Sequence, residues 1–424
     1  MNKVKKATHK IVAVFTLGML FFMCCPIITG VVQRIFTISK STETNQWTAS
    51  EYYPLENNSE KTRYGMIKNV LDKIEAVEQK IEKKVTSFLP FRASFILAKK
   101  ACDKAIGLDM TTSLCSGEND LTSVGDIVLE YEKDYLCFVM DNADISEKVE
   151  SLMCFGSQMK SEGRDFLFFM PPGKYKGNEI YQDYSEEKEK EVVMAFEEKG
   201  LDMVYLPDRI KKEDMISLFF KTDHHWLPST GIWADKMLCE ILNEKYDYQF
   251  DTSIFNMGYY KTDILEEDFL GSQGKKITEV YCQKEDFPII VPEYDTDLEV
   301  FISGRGKTCY GTIQDTLLHY SVLNEKDSSI RNNYAFYGYG DQALITVHNN
   351  KIDDGSNILI IKMSFADCMY PYLAAVVEDL HIIDLRIFNG SLQSYIRETN
   401  PDTVIVIYGI MAFENQKSVL FDFR

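Results

Sequence analysis

From residue 358 onward the chain alternates strongly apolar runs with helix-like segments, and this rhythm restricts the fold more than any other feature. Ile358-Leu359-Ile360-Ile361 is continuously apolar, the pattern of a strand covered on both faces. A helix is expected over 371–378, a strand over 381–385, a capped helix over 391–399 and a strand over 403–408. Strands separated by helices pair in parallel, and crossovers of this length are right-handed almost without exception. The expected architecture is a three-layer, doubly wound, mostly parallel α/β sheet. Ligands of such sheets bind beyond the carboxyl ends of the strands. Ser364 stands at one of those ends.

The same alternation begins near Val124. A strand pair is expected around 127–139, a helix over 146–160 and a strand over 165–170 that ends at Pro171-Pro172-Gly173. A charged helix over 185–199, a strand over 201–206 and a helix over 208–219 follow. The region of about 246–337 is less regular, with short strand-like runs such as Pro288-Ile289-Ile290-Val291. It reads as a β-rich insertion or lid within one domain over 124–424.

The N-terminus carries a different signal. Lys3, Lys5, Lys6 and Lys10 precede an uncharged apolar run over 11–32. That run is long enough to span a hydrocarbon core, which takes about 20 residues. It exceeds the roughly 7–15-residue apolar core of a cleaved signal peptide, so it reads as an uncleaved transmembrane helix. Its basic flank keeps residues 1–10 cytoplasmic and puts the rest of this single-pass chain outside. A polar tether over 33–60 and a juxtamembrane helical region over 61–123 come next. In the latter, Met66, Val70, Ile74, Val77 and Ile81 recur at helical spacing. The formal charge of −19 argues against a nucleic-acid partner and against adhesion to anionic lipid. The ten cysteines show no C-x-x-C spacing, so a zinc ribbon is not expected. Cys102 and Cys115 are the closest candidates for a disulfide, and free buried thiols are expected at most other positions.

Of six histidines, two adjoin in Lys221-Thr222-Asp223-His224-His225-Trp226. A D-x-H spacing can hold an imidazole against a carboxylate, which fixes its tautomer and raises its basicity. A serine hydroxyl needs such a base within hydrogen-bond reach. In an extended segment Asp223 and His225 point to one side and His224 to the other. His225 is therefore the expected base, Asp223 its orienter and Ser364 the nucleophile, with His224 and Trp226 on the substrate side. Each signal has a commoner reading when taken alone. A serine after a strand usually caps a helix, and a histidine pair is usually structural or a chance metal site.

The stretch Thr222-Asp223-His224-His225-Trp226, with Gly231 and Ala234 after it, resembles the signature of the bacterial DHHW protein family. That family is similar to the alginate O-acetyltransferase group, whose members are SGNH-hydrolase-like. Phe88-Leu89-Pro90-Phe91-Arg92 resembles the family's "FPFR" element, and Phe269-Leu270-Gly271-Ser272 its "DFxGS" element. Ile361-Lys362-Met363-Ser364-Phe365-Ala366 resembles its "KDSF" serine motif, and Ile383-Asp384-Leu385-Arg386 the strand that follows. The resemblance implies a Ser364–His225–Asp223 triad in an SGNH-like fold. Two positions depart from the pattern. Met363 replaces an aspartate before the serine. Asp341, in Gly338-Tyr339-Gly340-Asp341, stands where relatives have a "GGN"-like turn whose asparagine assists an oxyanion. Asp341 on the substrate side would repel developing negative charge unless protonated or turned away.

The leading expectation is an anchored, extracytoplasmic O-acyl (acetyl) transferase or esterase acting on surface polysaccharide. Whether a membrane-embedded exporter supplies the acyl donor, as such systems commonly require, is left open by the sequence. No cofactor and no metal are expected. The alternative is a catalytically impaired member that binds glycan or an envelope partner in the same cleft. A third reading, a metal-dependent phosphoesterase using Asp223, His224 and His225, lacks the further carboxylate cluster such sites need.

Overall fold

The computed structural model describes residues 129–131, 135–177, 182–211, 214–277, 279, 282–325, 331–414 and 418–424. The expected anchor over 11–32, the tether, the juxtamembrane helices, the Phe88–Arg92 motif and the Cys102/Cys115 pair lie outside the described residues. Among the described residues no helix is long and apolar enough to cross a membrane.

Strands β1 (Leu129–Tyr131) and β2 (Tyr135–Cys137) form a small antiparallel pair. Helix α1 (Ser146–Ser161) leads to β3 (Asp165–Met170), and α2 (Ser185–Lys199) leads to β4 (Met203–Tyr205). After the Asp223–Trp226 motif comes α3 (Pro228–Tyr246), then β5 (Tyr260–Phe269), β6 (Glu285–Pro292), β7 (Leu298–Ile302) and β8 (Lys307–Gly311). The C-terminal part holds β9 (Leu344–Asn349), β10 (Asn357–Lys362), β11 (Asp379–Ile383), α4 (Leu392–Thr399) and β12 (Thr403–Ile407).

Eight strands make the central sheet in the order β4-β3-β12-β10-β11-β9-β7-β8. The run from β4 to β11 is parallel, and β9, β7 and β8 continue it antiparallel. Alternation along each parallel strand feeds two separate cores. Ile358 and Ile360 of β10, Leu167 and Phe169 of β3, and Ile405 and Ile407 of β12 face the layer that contains α3. Leu359 and Ile361, Phe166 and Phe168, and Val404 and Val406 face the layer that contains α1, α2 and α4. The result is three layers of a mixed α/β fold with a parallel-dominant sheet.

Three expectations are corrected. The helix expected over 208–219 is instead two 3-10 turns, Leu206–Arg209 and Met215–Leu218. Pro207 opens the first turn, and Phe219 must leave helical geometry to bridge antiparallel to Trp226. The helix expected over 371–378 shrinks to Tyr370–Leu373, because the chain must turn back to enter β11 at Asp379. Among the described strands of 246–337, β5 and β6 form a hairpin outside the main sheet. β7 and β8 belong to the main sheet through β9, a strand the sequence reading omitted.

Candidate active site

Two carboxyl-end segments meet at the site. Parallel pairing sets Lys362 of β10 beside Ile407 of β12, so the chain beyond β10 emerges between its neighbours' ends. There Met363 starts a 3-10 turn, Ser364–Cys368, with Ser364 half-buried at its head. The second segment is the loop ahead of α3. It is bent rather than extended, and α3 begins at Pro228, whose fixed φ suits the first helical position.

An unbroken hydrogen-bond chain joins the three expected residues. Asp223 Oδ1 accepts from the backbone N–H of His225 at 2.9 Å and pairs with its Nδ1 at 2.5 Å. His225 Nε2 lies 2.7 Å from Ser364 Oγ. Burial opposes ionisation of Asp223, but His225, His224 and the Ser272 amide outweigh it and hold the carboxyl well below its ordinary range. An ionised acceptor at Nδ1 requires the proton there, so Nε2 is the free lone pair and the Ser364 hydroxyl donates to it. Tyr334 stacks on the His225 ring at 4.0 Å and 14° and fixes its plane.

His224 does not turn away from this group. The bend brings its ring to 3.9 Å from that of His225, and its Nδ1 lies 2.8 Å from Ser272 Oγ. Burial, then the neighbouring His225, lowers its pKa to about 3, so it is neutral at ordinary pH. Trp226 is fully buried and donates from Nε1 to the Phe365 carbonyl at 2.9 Å. It ties the two segments together and presents no surface to a substrate.

Asp341 is 45% exposed, and Lys362 and Arg386 hold it at 3.2 and 2.6 Å. Burial raises its pKa, but the two cations outweigh that and set it to about 2. The expected repulsion toward an oxyanion is thus offset by positive charge. Lys362 is fully buried and also pairs with Asp367 at 2.5 Å, while Arg386 grips Asp384 through two nitrogens, at 2.9 and 2.5 Å. Two cations therefore serve three carboxylates. Asp367, deeply buried and held by Lys362 alone, is the one whose pKa rises, to about 7. Met363, the departure from the resembled "KDSF" pattern, is buried in the apolar core. The buried charges of this region are instead Lys362, Asp367 and Asp384, which pair with one another.

Several positioning residues escaped sequence reasoning. Lys174, 3% exposed, donates to the carbonyls of Phe220, Lys221 and Asp223 at 2.7, 3.0 and 2.5 Å. Burial lowers its pKa to about 8. Glu285 accepts from the amides of Lys221 and Thr222 at 2.7 and 2.6 Å, and from the Thr222 hydroxyl at 2.6 Å. The Gly271-Ser272 turn closes on the loop from the other side. Ser272 N–H donates to Asp223 Oδ2 at 2.5 Å, and a side chain at Gly271 would sit 2.3 Å from Asp223 Cβ. Phe269–Ser272 stood out as a motif, but nothing in its residue types told that it clamps Asp223.

Asp223, His224 and His225 also offer ligand atoms within 4.8 Å of one another, as a cation would need. Both Asp223 oxygens and both His225 nitrogens are already hydrogen-bonded, which disfavours that use.

No protein-family model and no curated protein matches the sequence. Solved structures match in fold. PatB1 of Bacillus cereus gives a TM-score of 0.55 at 18% identity, over 70% of this chain and 99% of its own. PatB1 with a sulfonyl adduct gives the same TM-score and identity, over 70% and 98%. A DHHW family protein of Eubacterium siraeum gives 0.55 at 16% identity, over 71% and 96%. At such identities the shared property is the fold, and it is the fold that the DHHW-like motifs implied.

Proposed function

We propose that this chain is a membrane-anchored, extracytoplasmic serine O-acyltransferase or esterase that acts on surface polysaccharide. The observation that carries the reading is the chain from Asp223 through His225 to Ser364, at 2.5 and 2.7 Å. Those are the distances general-base activation of a serine requires.

In the forward step Ser364 Oγ attacks the acyl carbon of the donor and passes its proton to His225 Nε2. The bond from that carbon to the leaving group breaks, and the leaving group takes the proton from His225. A polysaccharide hydroxyl then gives its proton to His225 and attacks the serine ester. Ser364 Oγ departs and recovers the proton. With water in place of the sugar the same cycle is an esterase. Asp223 keeps the imidazole in the useful tautomer and stabilises the imidazolium that forms twice per cycle. The amides of Ser364 and Phe365 open the 3-10 turn, where no intrahelical acceptor exists, and serve the developing oxyanion.

The capture of PatB1 with a sulfonyl adduct is consistent with a reactive group on this fold. An impaired member that binds glycan or an envelope partner was the rival because of Met363 and Asp341. Lys362 and Arg386 beside that carboxylate weaken the rival. The anchor over 11–32 and a membrane-embedded acyl exporter as donor complete the proposal.

The test is p-nitrophenyl acetate with the full-length chain. One acetyl group on the Ser364 peptide, absent in Ser364→Ala, is expected. Equal turnover in Ser364→Ala would exclude the mechanism.

A further inference from the structure

We infer that Tyr334 is a positioning residue of the reaction: its ring stabilises the imidazolium of His225, and its hydroxyl holds that ring in register with the serine turn. This rests on the acyl-transfer reading above and adds to it a residue outside the triad.

The contact with the base is direct. The Tyr334 and His225 rings are 4.0 Å apart, centroid to centroid, and 14° from parallel. Asp223 and Ser364 hold the two nitrogen edges of the imidazole at 2.5 and 2.7 Å, and Tyr334 covers a face of it. The face of an aromatic ring carries partial negative charge and attracts a cation within about 6 Å of its centroid. Neutral imidazole gains little from that attraction. The imidazolium, present only while His225 carries the proton of the reacting hydroxyl, gains most. The stack therefore favours the charged state through which acyl transfer passes.

Tyr334 is itself placed by a buried circuit. It is 2% exposed and belongs to the 3-10 turn Asn333–Phe336. Burial pushes its pKa well up, so the hydroxyl stays protonated and donates to Cys368 Sγ at 3.0 Å. Burial raises the Cys368 thiol too, and it donates to the Phe365 carbonyl at 3.6 Å. The same carbonyl accepts from Trp226 Nε1. Phe365 follows Ser364 in the chain, and Trp226 follows His225. The circuit thus leaves the base through its ring, passes one residue from the nucleophile, and returns to the base through its backbone. A second anchor holds the Tyr334 turn. Arg331, 8% exposed, donates from Nε to Asn333 Oδ1 at 2.8 Å and pairs with Asp268 at 2.5 Å, just ahead of the Gly271-Ser272 turn that clamps Asp223.

The experiment follows labelling of the full-length chain by a fluorophosphonate over a range of probe concentrations, which separates the limiting rate from the half-saturating concentration. Tyr334→Phe keeps the ring and loses the hydroxyl, whereas Tyr334→Leu and Tyr334→Met fill the space without an aromatic face. In the two ring-less variants the limiting rate is expected to fall about tenfold at an unchanged half-saturating concentration, and Tyr334→Phe is expected to recover most of it. Tyr334→Phe and Cys368→Ala remove the same bond, so their double variant should be no slower than the slower single. Circular dichroism shows which variants keep the fold. A folded ring-less variant with the parent's limiting rate would overturn the role of the ring. Should both ring-less variants unfold, the Tyr334→Phe and Cys368→Ala cycle decides, and additive effects there would overturn the proposal. A parent that stays unlabelled would overturn the acyl-transfer reading itself, an outcome distinct from either.

Discussion

At the scale of single residues, the site depends on one tautomer and one loop. Asp223→Asn preserves the size of the side chain but lets an amide donate to His225 Nδ1, which turns the imidazole proton toward Ser364. A loss of roughly 10³–10⁴-fold in turnover is expected, with circular dichroism unchanged. Activity within tenfold of the parent would refute the role of Asp223. Lys174→Met removes the ammonium from three carbonyls. A buried acceptor left unpaired costs about 1–3 kcal/mol, so thermal stability and turnover should fall together. A variant equal to the parent in both would show that Lys174 does not hold the loop. Asp223, His225 and Ser364 were legible in the sequence because a D-x-H pair and a strand-end serine carry local signals. Lys174, Glu285, Ser272 and Tyr334 were not, since they reach the motif only through tertiary folding. His224 and Trp226 were misplaced because an extended segment was assumed where the chain bends. The charge balance at Asp341 was not legible, because its two cationic partners are distant in sequence.

Among elements, strands of continuous apolar character were the most readable, and β3 matches its expected bounds in full. Helices α1, α2 and α4 fall within a residue or two of expectation, because charge pattern and the Ser391 cap mark them. Ser391 indeed accepts from the Ser394 amide at 3.2 Å. The misread helices lie where the chain had to turn sooner than propensity implied. β7, β8 and β9 were hidden because pairing across a sheet edge leaves little trace in local sequence. The close approach of α3 to the serine turn is testable. A side chain at Gly231 would meet Cys368 at 2.5 Å from Sγ and 2.6 Å from the carbonyl oxygen. Overpacking of this kind costs about 1–3 kcal/mol, and Gly231→Ala should also reduce turnover by moving Ser364 relative to His225. Wild-type melting and turnover in Gly231→Ala would show that the contact is slack.

For the whole molecule, buried carboxyls set the dependence of stability on pH. Burial raises Glu189 to about 7 and Glu414 to about 8. A carboxyl raised in the folded state contributes stability that is complete below its unfolded pKa and is lost as pH rises through the folded value. His224 and His381, lowered by burial to about 3 and about 4, give the opposite slope, but only below the ordinary histidine value near 6.5. Lys174 acts above about 8. Between pH 6.5 and 8 the melting temperature should therefore fall, and Glu189→Gln with Glu414→Gln should flatten that fall. A parent whose melting temperature is level across that window would contradict the burial argument. The central claim, a serine activated by His225, is tested most directly by treating the full-length chain with a fluorophosphonate and weighing it intact. One adduct per chain is predicted, located on Ser364 and absent from both Ser364→Ala and His225→Ala. A folded parent that stays unlabelled, or an adduct that persists in Ser364→Ala, would contradict it.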